Sequence, residues 1–405
     1  MSELDRQAVT SIVSKLYDTF PFPPDPLLDE APPGYNWRWS WQGAYGFCTG
    51  GLAPIKTPRI LDAGCGSGVS TEYLAHLNPD ADIVAIDISA GTLEVAKERC
   101  RRSSPPTNNR AIAFQQLSLY DLDQIDGQFD MINSVGVLHH LPDPIKGIQA
   151  IASKLAPSGI FHIFVYAKIG RWEINLMQQA LSLLQKQEID QNQKIDFRQG
   201  VKLGREVFAA LPSTNRIVQR EKTRWSMENT RDECFADMYL HPREVDYEIE
   251  SLFELIAASG LEFVGFSNPQ VWQLERLLGS NPELLTQAQS LSTIDQYRLI
   301  ELLDTDIAHY EFFLAHPPLA KLDQTDAKIL SSIPQHHPCI NGWESDCLFD
   351  PDYGICRLSE LEFKFMQQCL SSQTVAEILK KIPNGNLEIV RSLLTKRMIL
   401  LEQKP

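Results

Sequence analysis

Residues 59–68 read Arg-Ile-Leu-Asp-Ala-Gly-Cys-Gly-Ser-Gly. Arg59 to Ala63 is an apolar run interrupted by one acid, as expected of a strand buried on both faces of a sheet. Gly64, Gly66 and Gly68 then fall at every second position, where the absence of Cβ lets a backbone turn sharply and approach a ligand. The following SGVSTEYLAHL has helical spacing and predicts a helix beginning near Gly68 or Ser70. Strand, glycine-rich turn and helix together are the opening unit of a nucleotide-type α/β fold.

The same alternation continues outward. DIVAIDIS (82–89) is a second apolar strand and GTLEVAKERCRR (91–102) a second helix. AIAFQQLSL (111–119) and FDMINSVGVL (129–138) give a third and fourth strand, DPIKGIQAIASKLA a helix ending near Pro157, and GIFHIFVYA (159–167) a fifth strand. Strands alternating with helices predict an α/β Rossmann-like, doubly wound sheet. Residues 171–245 lose the strand pattern and read as a polar helical insertion, after which SLFELIAASG and LEFVGFSNP resume the sheet. The expected organisation is therefore an aromatic, proline-rich N-terminal arm (1–50), a core with its insertion (51–270), a helical segment (271–335) and a helical or winged-helix-like module (336–405). The arm has helical spacing over 7–18. It then becomes irregular around prolines 21, 23, 24, 26, 32 and 33, with an aromatic load from Phe20 to Phe47 too high for a free linker. Such an arm is expected to pack over the core or over a ligand cleft.

Composition narrows the function classes. A chain of 405 residues with 43% hydrophobic side chains can bury a proper core. No run of about 18 apolar residues is present, so no membrane span is expected. Met1–Asp5 opens without a basic stretch and apolar run, so a cytoplasmic protein with reduced thiols at its eight scattered cysteines is expected. His336, His337, Cys339, Cys347 and Cys356 cluster in sequence but lack a Cys-x-x-Cys pair, so no metal is expected. The formal net charge of −15 opposes binding to a phosphate backbone, making nucleic acid an unlikely partner. Gln191–Arg224 is a local exception, with Lys194, Arg198, Lys202, Arg205, Arg216, Arg220, Lys222 and Arg224.

GxGxG alone is shared by several nucleotide-binding folds. Three companions sharpen it: Asp62 before the glycines, Asp87 at the end of the second strand, where an acid can hold ribose hydroxyls, and VLHHLPDP after the fourth strand. DAGCGSG, VAIDIS, VLHHLPDP and LAPSGIFHIFVYA resemble motifs of the class I S-adenosylmethionine-dependent methyltransferases over residues 55–168. The resemblance implies S-adenosyl-L-methionine as cofactor, with Asp62, Gly64, Cys65, Gly66 and Gly68 around its methionine part and Asp87 and Ile88 at the ribose. Ser118 and Leu119 would lie at the adenine, with Asp121 a substitute for the acid many members carry at 118, and Ser134 would border the reaction centre. A dinucleotide dehydrogenase would want its third glycine one residue later.

Methyl transfer requires alignment of the nucleophile and, for a weak one, a base or an orienting donor. The catalytic candidates, from segments expected at the carboxyl edge of the sheet, are His139, His140, Tyr166, Asp237 and His241. Asp237 and His241 share a face if helical. The insertion, arm and C-terminal module exceed what a small metabolite requires, and the acidic balance favours a protein acceptor. The whole chain loosely resembles cyanobacterial protein methyltransferases, including those acting on phycobiliprotein asparagines. A quinone or phenolic small molecule and a tRNA are the alternative acceptors.

Overall fold

The computed structural model describes residues 3–106, 111–185, 196–369 and 372–403. Seven strands form one sheet: β1 (Arg59–Ala63), β2 (Asp82–Asp87), β3 (Ala113–Gln116), β4 (Phe129–Val135), β5 (Leu155–Tyr166), β6 (Glu262–Phe266) and β7 (His309–Ala315). Their order is β3-β2-β1-β4-β5-β7-β6. β1 pairs in parallel with β2 and β4, while β7 runs antiparallel between β5 and β6. The direction of winding reverses between β1 and β4, which opens a crevice at the carboxyl ends of those strands.

The N-terminal region contributes α1 (Glu3–Thr19) and α2 (Trp41–Thr49), and α3 (Val69–Leu77), α4 (Ala90–Ser103) and α5 (Pro144–Ala152) alternate with the first strands. Local chemistry sets these starts. Ser89 caps α4 by accepting from Thr92 N, and Asp143 caps α5, where Pro144 supplies a preset φ at the first turn. The fifth strand begins at Leu155, earlier than the expected helix end near Pro157 allows, because Leu155 already pairs with Phe129. The insertion is helical as expected, with α6 (Trp172–Gln185), α7 (Phe197–Ala210), α8 (Arg216–Arg224) and α9 (Asp232–Leu240) around Phe235, Tyr239 and Met177. α10 (Ile249–Ser259) leads back into β6.

Residues 271–335 are not uniformly helical. α11 (Glu275–Leu278), α12 (Pro282–Gln289) and α13 (Thr293–Leu303) are followed by β7, a full member of the sheet. Tyr310, Phe312 and Leu314 enter the core on one face and Phe313 the core on the other. A strand buried on both faces loses its polar alternation and cannot be told from a buried helix by periodicity.

The C-terminal unit also begins before 336. α14 (Asp326–Ser331), β8 (Ile333–His336), β9 (Cys347–Phe349), β10 (Ile355–Arg357), α15 (Glu360–Gln368), α16 (Val375–Lys381), α17 (Leu387–Thr395) and β11 (Ile399–Glu402) follow one another. β8 pairs antiparallel with β11, and Ile329 sits in the same core as Phe365, Val390 and Leu401. This unit grips the N-terminal arm. Trp37 Nε1 donates to Asp352 Oδ1 (2.7 Å), Leu52 N donates to Leu401 O (2.9 Å), and the Tyr35 ring stacks on Tyr353 at 4.4 Å.

Candidate functional site

A cavity of about 360 Å³ lies over the carboxyl ends of β1, β2, β4 and β5, within the usual size of a small-ligand site. Gly64, Cys65 and Gly66 form its floor, and Asp87, Ile88, Ser118 and Leu119 line one end. His140, Phe164, Tyr166 and Asp237 line the other, while Tyr17, Phe22 and Trp39 of the arm close it from above. The arm therefore covers both the core and the cleft.

The turn is built to take this cover. Gly64 N and Cys65 N both donate to Ile86 O (2.9 Å each), which ties the turn to β2. Gly66 has φ +53°, and a Cβ there would stand 2.5 Å from Phe22 O, where the arm's backbone crosses. Ser67 N donates to that same carbonyl (2.9 Å) and Ser67 Oγ to Pro23 O (2.5 Å). Arg99 of α4 clamps the arm further, donating to Ser67 O, Pro26 O and Asp25 O. Gly68 caps α3 and, rather than reaching the cavity, packs on Ala96, 2.7 Å from a would-be Cβ.

The two acids flanking the turn hold different positions. Asp87 faces the cavity, accepting from Gly66 N and Ser89 N (2.9 Å each). A carboxylate has about four acceptor positions, so it retains capacity for ligand hydroxyls. Burial raises its pKa against those donors. Asp62 lies behind the turn instead. Its Oδ2 accepts from Ser70 Oγ (2.7 Å) and Thr71 Oγ1 (2.6 Å), and its Oδ1 from Asn133 Nδ2 (2.8 Å).

Asn133 extends a polar row across one face of the sheet. Asp62 pairs in register with Asn133, and Asn133 with His162. Asn133 Oδ1 accepts from Trp39 Nε1 (3.0 Å) and meets His162 Nδ1 (2.8 Å), while His162 Nε2 meets Glu311 Oε1 (3.1 Å). Glu311 Oε2 pairs with Arg38 Nε (2.7 Å). Burial works to raise the Glu311 carboxyl, but His162, Arg38 and Ser267 outweigh it and hold the group at about 2. Sequence reasoning missed this row; its only signals were the polar residues inside FDMIN and GIFHIF.

At the other end the predicted residues separate. Tyr17 Oη donates to Asp237 Oδ1 (2.9 Å), and burial, with Glu244 nearby, pushes Asp237 up to about 7. Tyr166 stands against the same carboxyl, its ring 3.5 Å from the Arg171 guanidinium carbon. Asp237 and His241 do not act as a pair: the helix ends at Leu240, and His241 turns away to stack on His140 at 3.6 Å. Of the three histidines only His140 lines the cavity; it contacts Arg243 O through Nδ1 (3.1 Å), and burial lowers it to about 3. His139 is buried behind it, as is Ser134, and neither reaches the cavity. Asp121 is exposed and does not line the cavity. Tyr17 was missed because nothing in a helix 220 residues away marks its partner.

Three arginines of the basic stretch are engaged internally. Arg205 pairs with Asp232 (2.7 Å), Arg220 with Glu173 (3.1 Å) and Asp306 (2.7 Å), and Arg224 donates to Asp306 O (2.8 Å). Gln191 and Lys194 lie outside the described residues. Among the described residues no three potential metal ligands converge, and no helix is long and apolar enough to cross a membrane.

A glycine turn under a cavity, with an acid at the end of the neighbouring strand, is the arrangement the motifs implied. The family model described as a methyltransferase domain matches residues 60–159, which contain that turn, Asp87, Asn133 and His140. The chain belongs to the class I S-adenosylmethionine-dependent methyltransferases. S-adenosylmethionine is its cofactor. An uncharacterized protein of Synechococcus sp. is 55% identical to this methyltransferase over 399 residues, covering 97% of this chain and 94% of the relative. The uncharacterized phycocyanin operon protein W of Pseudanabaena tenuis is 68% identical over 94 residues, 23% of this chain and 89% of that one. Among solved structures, PKMT2 from Rickettsia typhi in complex with AdoHcy superposes with a TM-score of 0.59 over 92% of this methyltransferase and 77% of that chain. At 16% identity that likeness concerns the fold.

Proposed function

We propose that this methyltransferase modifies a protein side chain, with an asparagine amide of a phycobiliprotein as the acceptor. The observation that carries the reading is the buried Asp237 carboxyl, held near 7 by burial at the far end of the cofactor cavity. A group with that pKa suits proton removal from a weak N–H nucleophile near neutrality. Support for the acceptor's identity comes from the relative named for the phycocyanin operon.

The cavity fits the cofactor by its own features: a glycine floor that any Cβ at Gly66 would disturb, an acid with spare acceptor capacity at one end, and apolar walls between. Bound there, S-adenosylmethionine supplies a methyl group already activated on a sulfonium sulfur. Gly64, Cys65 and Gly66 would receive the methionine part, Asp87 and Ile88 the ribose, and Ser118 with Leu119 the adenine. Asp62 and Gly68 act from behind, by holding the turn. Asp237 would accept the proton released from the acceptor nitrogen, and Tyr166 and His140 would wall the acceptor pocket. His140 stays neutral there, because burial lowers its pKa to about 3.

The test uses tritiated S-adenosylmethionine with recombinant, unmethylated phycocyanin and, in parallel, a Synechococcus lysate separated into protein, RNA and lipid fractions. Label should enter the phycocyanin and appear as N-methylasparagine after digestion. Label confined to the lipid or small-molecule fraction would establish the quinone or phenolic alternative instead, and label in RNA the tRNA alternative.

A further inference from the structure

α1 is a wall shared by the two ends of the cavity. Its last turn is fastened to the start of α4: Asp18 Oδ1 accepts from Ser89 Oγ (2.6 Å) and Gly91 N (3.2 Å), and Thr92 Oγ1 donates to Tyr17 O (3.2 Å). Ser14 Oγ reaches Ile88 O at 3.4 Å. Ile88 and Thr92 line the cavity beside Asp87, so this turn rests on the cofactor end. Leu16 and Phe20 of the same turn are buried in the core of the helical insertion, with Phe235 and Tyr239 of α9. Between these anchors, the Tyr17 hydroxyl crosses to Asp237 on α9.

We propose that Tyr17 is a positioning residue: its hydroxyl holds one oxygen of the Asp237 carboxylate and thereby orients the group toward the acceptor, with α1 tying that orientation to the cofactor end. The inference rests on Asp237 as the proton acceptor. Four side-chain bonds to the α4 end fix the helix that carries this hydroxyl, and the hydroxyl occupies Oδ1 of a short carboxylate that Tyr166 also meets, which restricts its rotamers. Tyr17 is half-buried at the cavity wall with its oxygen on the carboxylate, a part-buried bond that water screens less than one at the surface.

The sign of its effect follows from the groups that face Asp237. Tyr17 from α1, Tyr166 from β5 and Arg171 just beyond β5 favour the ionised carboxylate; burial and Glu244, from the segment before α10, oppose it. Cys234 lies on Asp237's own helix, one turn back. Tyr17→Phe removes one favourable contact and keeps the ring, so the carboxyl should titrate about one pH unit higher, as expected for loss of a hydrogen bond to a charged group.

The direct readout needs no acceptor. In the cofactor-free protein the protonated-carboxyl infrared band that disappears in Asp237→Asn is titrated in wild type and in Tyr17→Phe. The midpoint should rise by about one unit in Tyr17→Phe, and an unmoved midpoint overturns the proposal. With phycocyanin as acceptor, kcat should fall roughly tenfold at pH 6 while affinity for S-adenosylhomocysteine stays within twofold. Loss of kcat with an unmoved acidic limb would mean a structural role only. Incorporation of 3-fluorotyrosine at position 17 keeps the shape and strengthens the donor, so it should move the midpoint down; this arm stands even if Tyr17→Phe folds poorly. Full turnover by Asp237→Asn would sink the reading of Asp237 itself, whereas an inactive Asp237→Asn with an unmoved Tyr17→Phe midpoint sinks the role of Tyr17 alone.

Discussion

Replacing Asp237 by Asn should make the protein more stable and less active, and the gain in stability should grow with pH. The folded carboxyl titrates at about 7, against an ordinary value of 3.8. A raised folded pKa means that the native state binds the extra proton between those values. The group's contribution is therefore fully present below about pH 3.8 and is lost as pH rises through 7. Asn cannot titrate, yet keeps a carbonyl oxygen for the Tyr17 hydroxyl. At about 1.4 kcal/mol per pH unit, the advantage of the Asn variant should increase by about 2 to 3 kcal/mol between pH 5 and pH 8. Thermal unfolding of both proteins at pH 5, 6, 7 and 8, without cofactor, reads this directly. A Tm difference that stays constant across the series would refute the claim that Asp237 is held protonated by its surroundings. Turnover on the acceptor should fall by about 10²-fold or more, the usual contribution of a positioned base.

Three further outcomes follow from the packing. Gly66→Ala should weaken S-adenosylhomocysteine binding at least tenfold in calorimetry, because the new methyl meets the Phe22 carbonyl that crosses the turn. Asn133→Ala leaves Asp62, Trp39 and His162 each short of a partner at 0–1% exposure for the two sheet residues, so unfolding stability should drop by about 2–4 kcal/mol, measured by denaturant titration. Removing residues 322–405 should lower cofactor affinity as well as turnover, since the arm over the cavity loses Asp352 and Leu401; unchanged affinity would show that the arm holds itself.

The strands and helices that flank the turn were legible because each has a local cause: an apolar run, a glycine, a capping Ser89 or Asp143. β7 was not, since a strand packed on both faces shows no alternation, and its place between β5 and β6 is decided by pairing with residues some 150 positions away. Asp87, Gly64 and Gly66 line the cavity as their spacing suggested, whereas Gly68 packs on Ala96 instead. Asp62, by contrast, has the right spacing but lies behind the turn, because Ser70, Thr71 and Asn133 supply its donors. The histidine pair after β4 reads as one feature in sequence, yet the 3₁₀ turn at Leu138–His140 directs only His140 to the cavity. The arm was expected over the core or a cleft, but Tyr17 and Trp39 could not be singled out within it, since only long-range contacts bring them to Asp237 and Asn133.

The arm's place over the cleft has a thermodynamic counterpart. Asp62 fastens the start of α3 through Ser70 and Thr71, Asn133 donates to Asp62, and the Asn133 oxygen accepts from the Trp39 indole of the arm besides meeting His162. Arg38, beside it, neutralises Glu311 at the other end of the row, and Asp352 of the C-terminal unit accepts from Trp37 and pairs with Arg397. The turn, the arm and the C-terminal unit are thus joined by one row of polar contacts, buried at Asp62, Asn133 and His162 and half-exposed at Asp352, and leaving a buried member unpaired costs more than the bond itself contributes. A ligand that binds only the assembled turn therefore stabilises all three segments together, by about 2.7 kcal/mol at a hundredfold excess over Kd. Cofactor binding should therefore stabilise the C-terminal unit without touching it, through Trp37, Arg38 and Trp39, and an unmoved denaturant midpoint for that unit on adding S-adenosylhomocysteine would refute the coupling.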